Sequence, residues 1–124
     1  MGEGFHEKLK RLIHEYIVLS YQITKKYPGD ERYSLTSQDR RASLSVMLNY
    51  VEGHGRIKLA VKQNFYETAF GSLKESIYCK FLACELEYIQ RNEYEKVFAL
   101  KEEISAMLYA TIRGIEKDRG EQNS

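Results

Sequence analysis

The chain has 124 residues, 43% of them apolar and 30% charged, with a formal net charge of +1. These values predict one soluble domain, residues 1–124, that buries roughly two thirds of its unfolded surface, and they exclude a disordered chain. The small net charge excludes a strongly basic nucleic-acid protein but leaves room for a local basic patch.

No apolar run approaches the ~20 residues of a membrane span. The start, Met1 to Phe5, lacks the charged and apolar regions of a secretory signal, so a cytoplasmic protein with no membrane contact is expected. Phe5, Leu9, Leu12, Ile13, Tyr16, Leu19, Ile23 and Tyr27 recur at three- and four-residue steps, with Lys8, Arg11, Glu15, Gln22 and Lys26 between them. That pattern predicts an amphipathic helix over 5–27. The only proline, Pro28, followed by Gly29 and Asp30, ends it in a turn.

A second helix is expected over 36–53, capped by Thr36 or Ser34, with Asp39 suited to the positive end of the helix dipole. It stops at Gly53 and Gly55. Its apolar residues are Ala42, Leu44, Met47, Leu48 and Val51, widened by Val46 and Tyr50. So broad an arc in a small domain calls for a second neighbour, and a copy of the same chain is the natural one.

A third helix is expected over 58–90, carrying Leu59, Phe65, Tyr66, Ala69, Phe70, Leu73, Ile77, Phe81, Cys84 and Ile89. Gly71 inside it marks a close approach of two helices. Cys79 and Cys84 point roughly 140° apart on a helix and are read as buried, reduced thiols. Gln90 to Glu93 breaks the pattern with Asn92 as cap, and a fourth helix over 93–117 precedes a polar tail, 118–124, read as frayed. Four helices on short connections give an all-α, up-down-up-down bundle.

Three blocks then stand out: Leu35-Thr36-Ser37-Gln38-x-Arg40-Arg41-Ala42, Asn49-x-x-Glu52-Gly53-x-Gly55-Arg56 and Gly71-Ser72-Leu73-x-Glu75. In order and spacing they resemble the four-helix bundle proteins of 23S ribosomal-RNA intervening sequences, a bacterial family, over Tyr16 to Ile115. Asp39 departs from the apolar or neutral residue usual there, and Met47-Leu48 from the small residues usual before the asparagine. The resemblance implies a left-handed bundle assembled as a ring-like homo-oligomer, most often a pentamer. A related branch, the accessory variability protein of diversity-generating retroelements, binds nucleic acid and a reverse transcriptase. For most members the role is unknown.

Arg40 and Arg41 lie in the first turns of the second helix, where a cation opposes the dipole. Either they pair with Asp39, Asp30, Glu31 or a neighbouring helix or subunit, or they contact phosphate. Glu52 is an acid at a helix C-terminus, to be held by Arg56, by Asn49 or by an arginine across the bundle. Glu75 is a candidate for a similar inward or interfacial role.

From Gly53 to Tyr66 there is no acid, while His54, Arg56, Lys58 and Lys62 are present. This stretch is either a solvated face or a patch that follows a nucleic-acid backbone, multiplied by repetition in a ring. The only Glu-x-x-His is Glu3 to His6, placed in a tail, so no di-iron site is expected. The three histidines are read as unclustered solvent or packing residues, and no metal, cofactor or catalytic constellation is expected. The leading expectation is a non-enzymatic oligomer that binds RNA or DNA. The alternative is an adaptor that docks a larger protein such as a reverse transcriptase.

Overall fold

Leu9, Leu12, Ile13, Tyr16 and Ile23 are all buried along one face of α1 (Phe5–Thr24) in the computed structural model, which describes residues 2–123, the last two by backbone alone. After α1 the chain turns through Pro28 into a single 3-10 turn, Gly29–Glu31. It then forms α2 (Leu35–His54), α3 (Leu59–Glu85) and α4 (Arg91–Asn123). The described residues contain no strand and no helix long and apolar enough to cross a membrane.

Each helix packs on its sequence neighbours and α1 closes against α4, while the diagonal helices keep their backbones apart and α1 reaches α3 only through side chains such as Tyr16 and Ser76. The helices alternate in direction, as contacts at the two ends of the bundle establish. At one end the start of α1 meets the end of α2, with the start of α3 and Asp118 of α4 beside them. At the other, Tyr27 bonds Asp39, Lys26 bonds Glu93, and Tyr88 donates to Glu31 at 2.8 Å.

Leu9, Ile13 and Tyr16 from α1, Val46 and Tyr50 from α2, Tyr66 and Leu73 from α3, and Val97, Ile104 and Leu108 from α4 are at most 2% exposed. Each such side chain contributes about 1.5–3 kcal/mol in removing apolar surface from water. Together these layers are the driving force for the fold.

The boundaries differ from the periodicity in ways that have local causes. The first helix stops at Thr24 rather than residue 27, although Tyr27 still turns into the core. α2 begins at Leu35, with the Ser34 hydroxyl accepting from the Leu35 amide at 2.7 Å, so Ser34 rather than Thr36 is the cap. α3 ends at Glu85 rather than residue 90. The Tyr88 amide bonds the Ala83 carbonyl at 2.8 Å and the Glu87 amide bonds Cys84 at 3.0 Å, with Glu87 left-handed at φ 63°. This is the six-to-one, five-to-two closure of a helix end, with glutamate where glycine is usual.

Asn92 is not the cap of α4. Glu93 accepts from the Gln90 amide at 3.0 Å while the Gln90 carbonyl takes the first helical bonds, the glutamate half of a capping box with its cap position two residues before Asn92. Residues 118–123, read as a tail, continue the helix.

Two expectations about packing are overturned. Val46 and Tyr50, read as surplus surface for sister subunits, are fully buried within the chain. The exposed apolar residues of α2 are Leu44, Leu48 and Val51. The close approach read at Gly71 occurs at Gly53 instead. A Cβ on Gly53 would lie 2.9 Å from the Tyr66 ring and 3.0 Å from the Phe65 Cβ, whereas one on Gly71 would meet nothing within 4 Å. Cys79 is buried and Cys84 half-buried, both unpaired with each other. Burial, with Asp39 adding to it, pushes the Cys79 thiol up to about 11.

Alanine at these two glycines separates crowding from helix propensity. Gly71→Ala is expected to stabilise the chain by up to about 1 kcal/mol. Gly53→Ala is expected to lose roughly 1–2 kcal/mol as the Tyr66 ring is displaced. Urea unfolding followed by circular dichroism measures both.

Candidate functional site: a buried ion pair and a divided basic surface

Between α1, α2 and α3 lies a cluster of polar side chains that periodicity did not reveal. Asp39 and Lys80 are both completely buried, and the Lys80 ammonium donates to Asp39 Oδ1 at 2.5 Å. It also lies 3.2 Å from the Ser43 hydroxyl and 3.4 Å from the Ser76 carbonyl, with its Nζ 4.8 Å from the centroid of the Tyr16 ring. Asp39 accepts from the Tyr27 hydroxyl at 2.7 Å through Oδ2 and from Ser43 at 3.2 Å through Oδ1. Tyr16 and Ser76 share a hydroxyl–hydroxyl bond of 2.5 Å, and Ser76 donates to the Leu73 carbonyl.

No buried side-chain nitrogen or oxygen among the described residues is left without a partner. That completeness allows charge to survive in the core, because an unpaired buried ion costs several kcal/mol. Burial pushes the Lys80 ammonium below the ordinary lysine value, and the charge and hydrogen bond of Asp39 pull it back up. Burial and then Asp39 push the Tyr27 hydroxyl far up, so it stays protonated and donating. Asp39 therefore serves as a buried acceptor instead of a dipole partner at the surface of the first turn. Lys80 was missed because nothing in a helical stripe distinguishes a buried lysine from a solvated one.

Asp39 and Lys80 are shut off from solvent and their polar atoms are taken up by α1, α2, α3 and the turn after α1, so the cluster ties these elements together. Among the described residues no group of three or more histidines, cysteines or carboxylates is placed to hold a metal.

The basic residues singled out in the sequence fall at opposite ends of α2. Arg40 is half-buried, its Nε donating to Thr24 Oγ1 at 2.8 Å and its guanidinium 4.9 Å from the Tyr21 ring, so it joins α2 to the end of α1. Arg41 is exposed on the outer face. From Arg41 to His54 the helix rises about 20 Å, so the pair does not share a patch with the second group.

At the α2–α3 corner, Arg56 bonds Glu52 and stands 5.2 Å over the Phe65 ring. Lys62 donates to the Gly53 and His54 carbonyls at 3.2 and 3.0 Å. These are the last acceptors of α2, where a cation complements the dipole. Lys58, exposed, precedes α3. Among the described residues Arg56 is the one of these five in an ion pair; Arg40 and Lys62 are taken up by neutral acceptors, which leaves Arg41 and Lys58 outside both kinds of contact.

Of the polar residues expected to be structural, Glu52 is held by Arg56, one of the three partners considered. Asn49 bonds the Ser45 carbonyl and hydroxyl at 2.9 and 2.8 Å, and Ser45 reaches Ser72 on α3 at 2.9 Å. Glu75 does not point inward. It is exposed beside a shallow groove that Gln38, Arg41, Ser45 and Ser72 also line.

The histidines are not all apart, as had been expected. His6 lies in the first turn of α1, not in a tail, and its ring centroid is 4.7 Å from that of His54.

Removing one partner of the buried pair tests its role. Lys80→Met, which strands the Asp39 carboxylate, is expected to cost about 3–5 kcal/mol. Adding Asp39→Leu is expected to recover most of that loss, giving a strong positive coupling in a double-mutant cycle of unfolding free energies.

The protein-family comparison matches residues 8–110 to the model described as 23S rRNA-intervening sequence protein. Among solved structures, the chain is similar to a crystal structure of a protein with unknown function from the S23 ribosomal protein family of Bacteroides thetaiotaomicron. The identity is 24% and the TM-score 0.77, over 84% of this chain and 97% of that one, a likeness that establishes the fold. The curated proteins contain no match. With a family match over most of its length and the three-block pattern placed on the helices as described, the chain belongs to the 23S rRNA-intervening sequence protein family.

Proposed function

We propose that this chain is a non-catalytic assembly module whose copies associate through the outer face of α2 and present RNA or DNA with a repeated basic surface. The observation that carries the first half is the exposed stripe Leu44, Leu48 and Val51, at 40, 58 and 48% exposure. The spacing of i, i+4, i+7 lines one face of a helix, the form in which helices offer apolar surface to a partner. The inner face of α2 is already filled by Val46 and Tyr50, so this stripe is surplus to the chain's own core. A ring of such copies, a pentamer in the family's usual form, sets one basic corner beside the next.

The nucleic-acid surface is weaker in each copy than a count of lysines and arginines suggests. Arg40 and Lys62 are engaged inside the fold and Arg56 is paired, which leaves Arg41 and Lys58 as the cations best placed for phosphate. Repetition compensates, since linked weak contacts gain from a high effective concentration.

The second reading, an adaptor in the cytoplasm that docks a larger enzyme such as a reverse transcriptase, is favoured by the near-neutral charge. The exposed aromatic side chains Tyr78, Phe81 and Tyr109 also favour it.

Molar mass by light scattering tests the assembly. The wild-type chain is expected to be oligomeric at micromolar concentration, and Leu48→Asp is expected to shift it to monomer with its helicity unchanged. A wild-type monomer removes the assembly reading.

Arg41→Glu combined with Lys58→Glu spares the α2 end that Lys62 caps. It is expected to lower the slope of log affinity for single-stranded RNA against log salt by roughly 0.7 per lost phosphate contact. An oligomer that retains no RNA at low salt turns the conclusion to the adaptor.

A further inference from the structure

The amino end of α1 is attached to the bundle by chemistry that a proton changes. Gly4 supplies no side-chain cap, and the first turn is held through its side chains. His6 Nδ1 bonds the hydroxyl of Tyr50, a residue completely buried on α2. The His54 ring stacks on Tyr50 at 6.2 Å and meets His6 at 4.7 Å. The Tyr66 ring also packs on Tyr50, 5.6 Å away.

Beside the histidines runs a cleft of about 520 Å³ lined by Phe5, Leu59, Tyr66 and Ile115, with Lys62 and Asp118 on its walls. The titratable and charged groups around His6 are therefore Tyr50 and His54 from α2, Lys62 and Tyr66 from α3 and Asp118 from α4. Glu3, just before α1, is engaged by Arg11 at 2.9 and 3.0 Å.

Neutral imidazole suits this place. With Nδ1 as acceptor, the Tyr50 hydroxyl donates to it and both groups are satisfied. Protonation turns Nδ1 into a donor and leaves the buried hydroxyl proton without its acceptor. The new charge also faces Lys62 and His54.

Burial first, then the His54 and Lys62 charges, hold His6 below the ordinary histidine value. Because the folded state favours the neutral ring, this contribution to stability is complete above the free value near 6.5. It is lost as pH falls through the lowered value.

We propose that His6, Tyr50 and His54 form a proton-operated latch. It holds the first turn of α1 on the bundle at neutral pH and releases it in mild acid, opening the cleft lined by Leu59, Tyr66 and Ile115.

The test is amide hydrogen exchange of residues 5–10 at pH 7.5 and 5.0, corrected for the intrinsic pH dependence of exchange, with the His6 ring titration followed by NMR. His6 is expected to titrate below the ordinary histidine value. The opening constant of the first turn is expected to rise by about tenfold for each unit of that lowering. His6→Gln keeps a hydrogen-bonding partner for Tyr50 and cannot titrate, so its protection should be the same at both pH values.

Acid-induced opening that persists in His6→Gln, or a His6 midpoint at or above the ordinary value, overturns the latch. If His6→Gln does not hold the turn at either pH, Tyr50→Phe decides. A His6 midpoint that rises on loss of the hydroxyl supports the latch, and an unchanged midpoint overturns it.

Discussion

The interior of this bundle is organised around an ammonium and a carboxylate with no surface exposed to solvent. Asp39 and Lys80 are each fully buried, and every hydrogen-bonding atom around them finds a partner on α1, α2, α3 or the turn after α1. Apolar layers tolerate small slips of one helix along another, because a leucine packs against many surfaces. A buried ion pair does not. A shift of one residue in α2 or α3 parts the charges and leaves each with a desolvation cost of several kcal/mol. The pair therefore fixes the stagger of three helices, and α4 joins through apolar contacts and through surface bonds such as Lys8 to Glu103.

That constraint accounts for the placing of α2's other residues. Turning Asp39 inward commits Ala42, Ser43, Val46, Tyr50 and Gly53 to the same face, the spacing of a helical stripe. Leu44, Leu48 and Val51 are carried outward by the same rotation. A polar core residue and an exposed apolar stripe are thus two consequences of one helix orientation. The close packing of Gly53 on Tyr66 at the far end of the stripe completes the contact with α3.

The cations of the α2–α3 corner show how structure uses charge before function can. Lys62 terminates α2 and Arg56 neutralises Glu52, so the absence of acids in the sequence from Gly53 to Tyr66 overstates the basic surface that results. The same corner brings His54 to His6 across 48 positions of sequence, a proximity produced by the antiparallel return of α2 alongside α1.

The number of helices, their connections near Pro28, Gly55 and Gln90, and the family were all legible in the residues, because helix periodicity, proline geometry and local blocks are properties of neighbouring positions. The Glu52–Arg56 pair was legible for the same reason, as its partners stand one turn apart. Which face of α2 turns inward was not, since a stripe of leucines looks like a core until a buried charge elsewhere outcompetes it. Lys80 with Asp39, Gly53 with Tyr66, and His6 with Tyr50 each join positions distant in the chain and close in space. Their energies come from desolvation and contact, which exist only once the helices have packed.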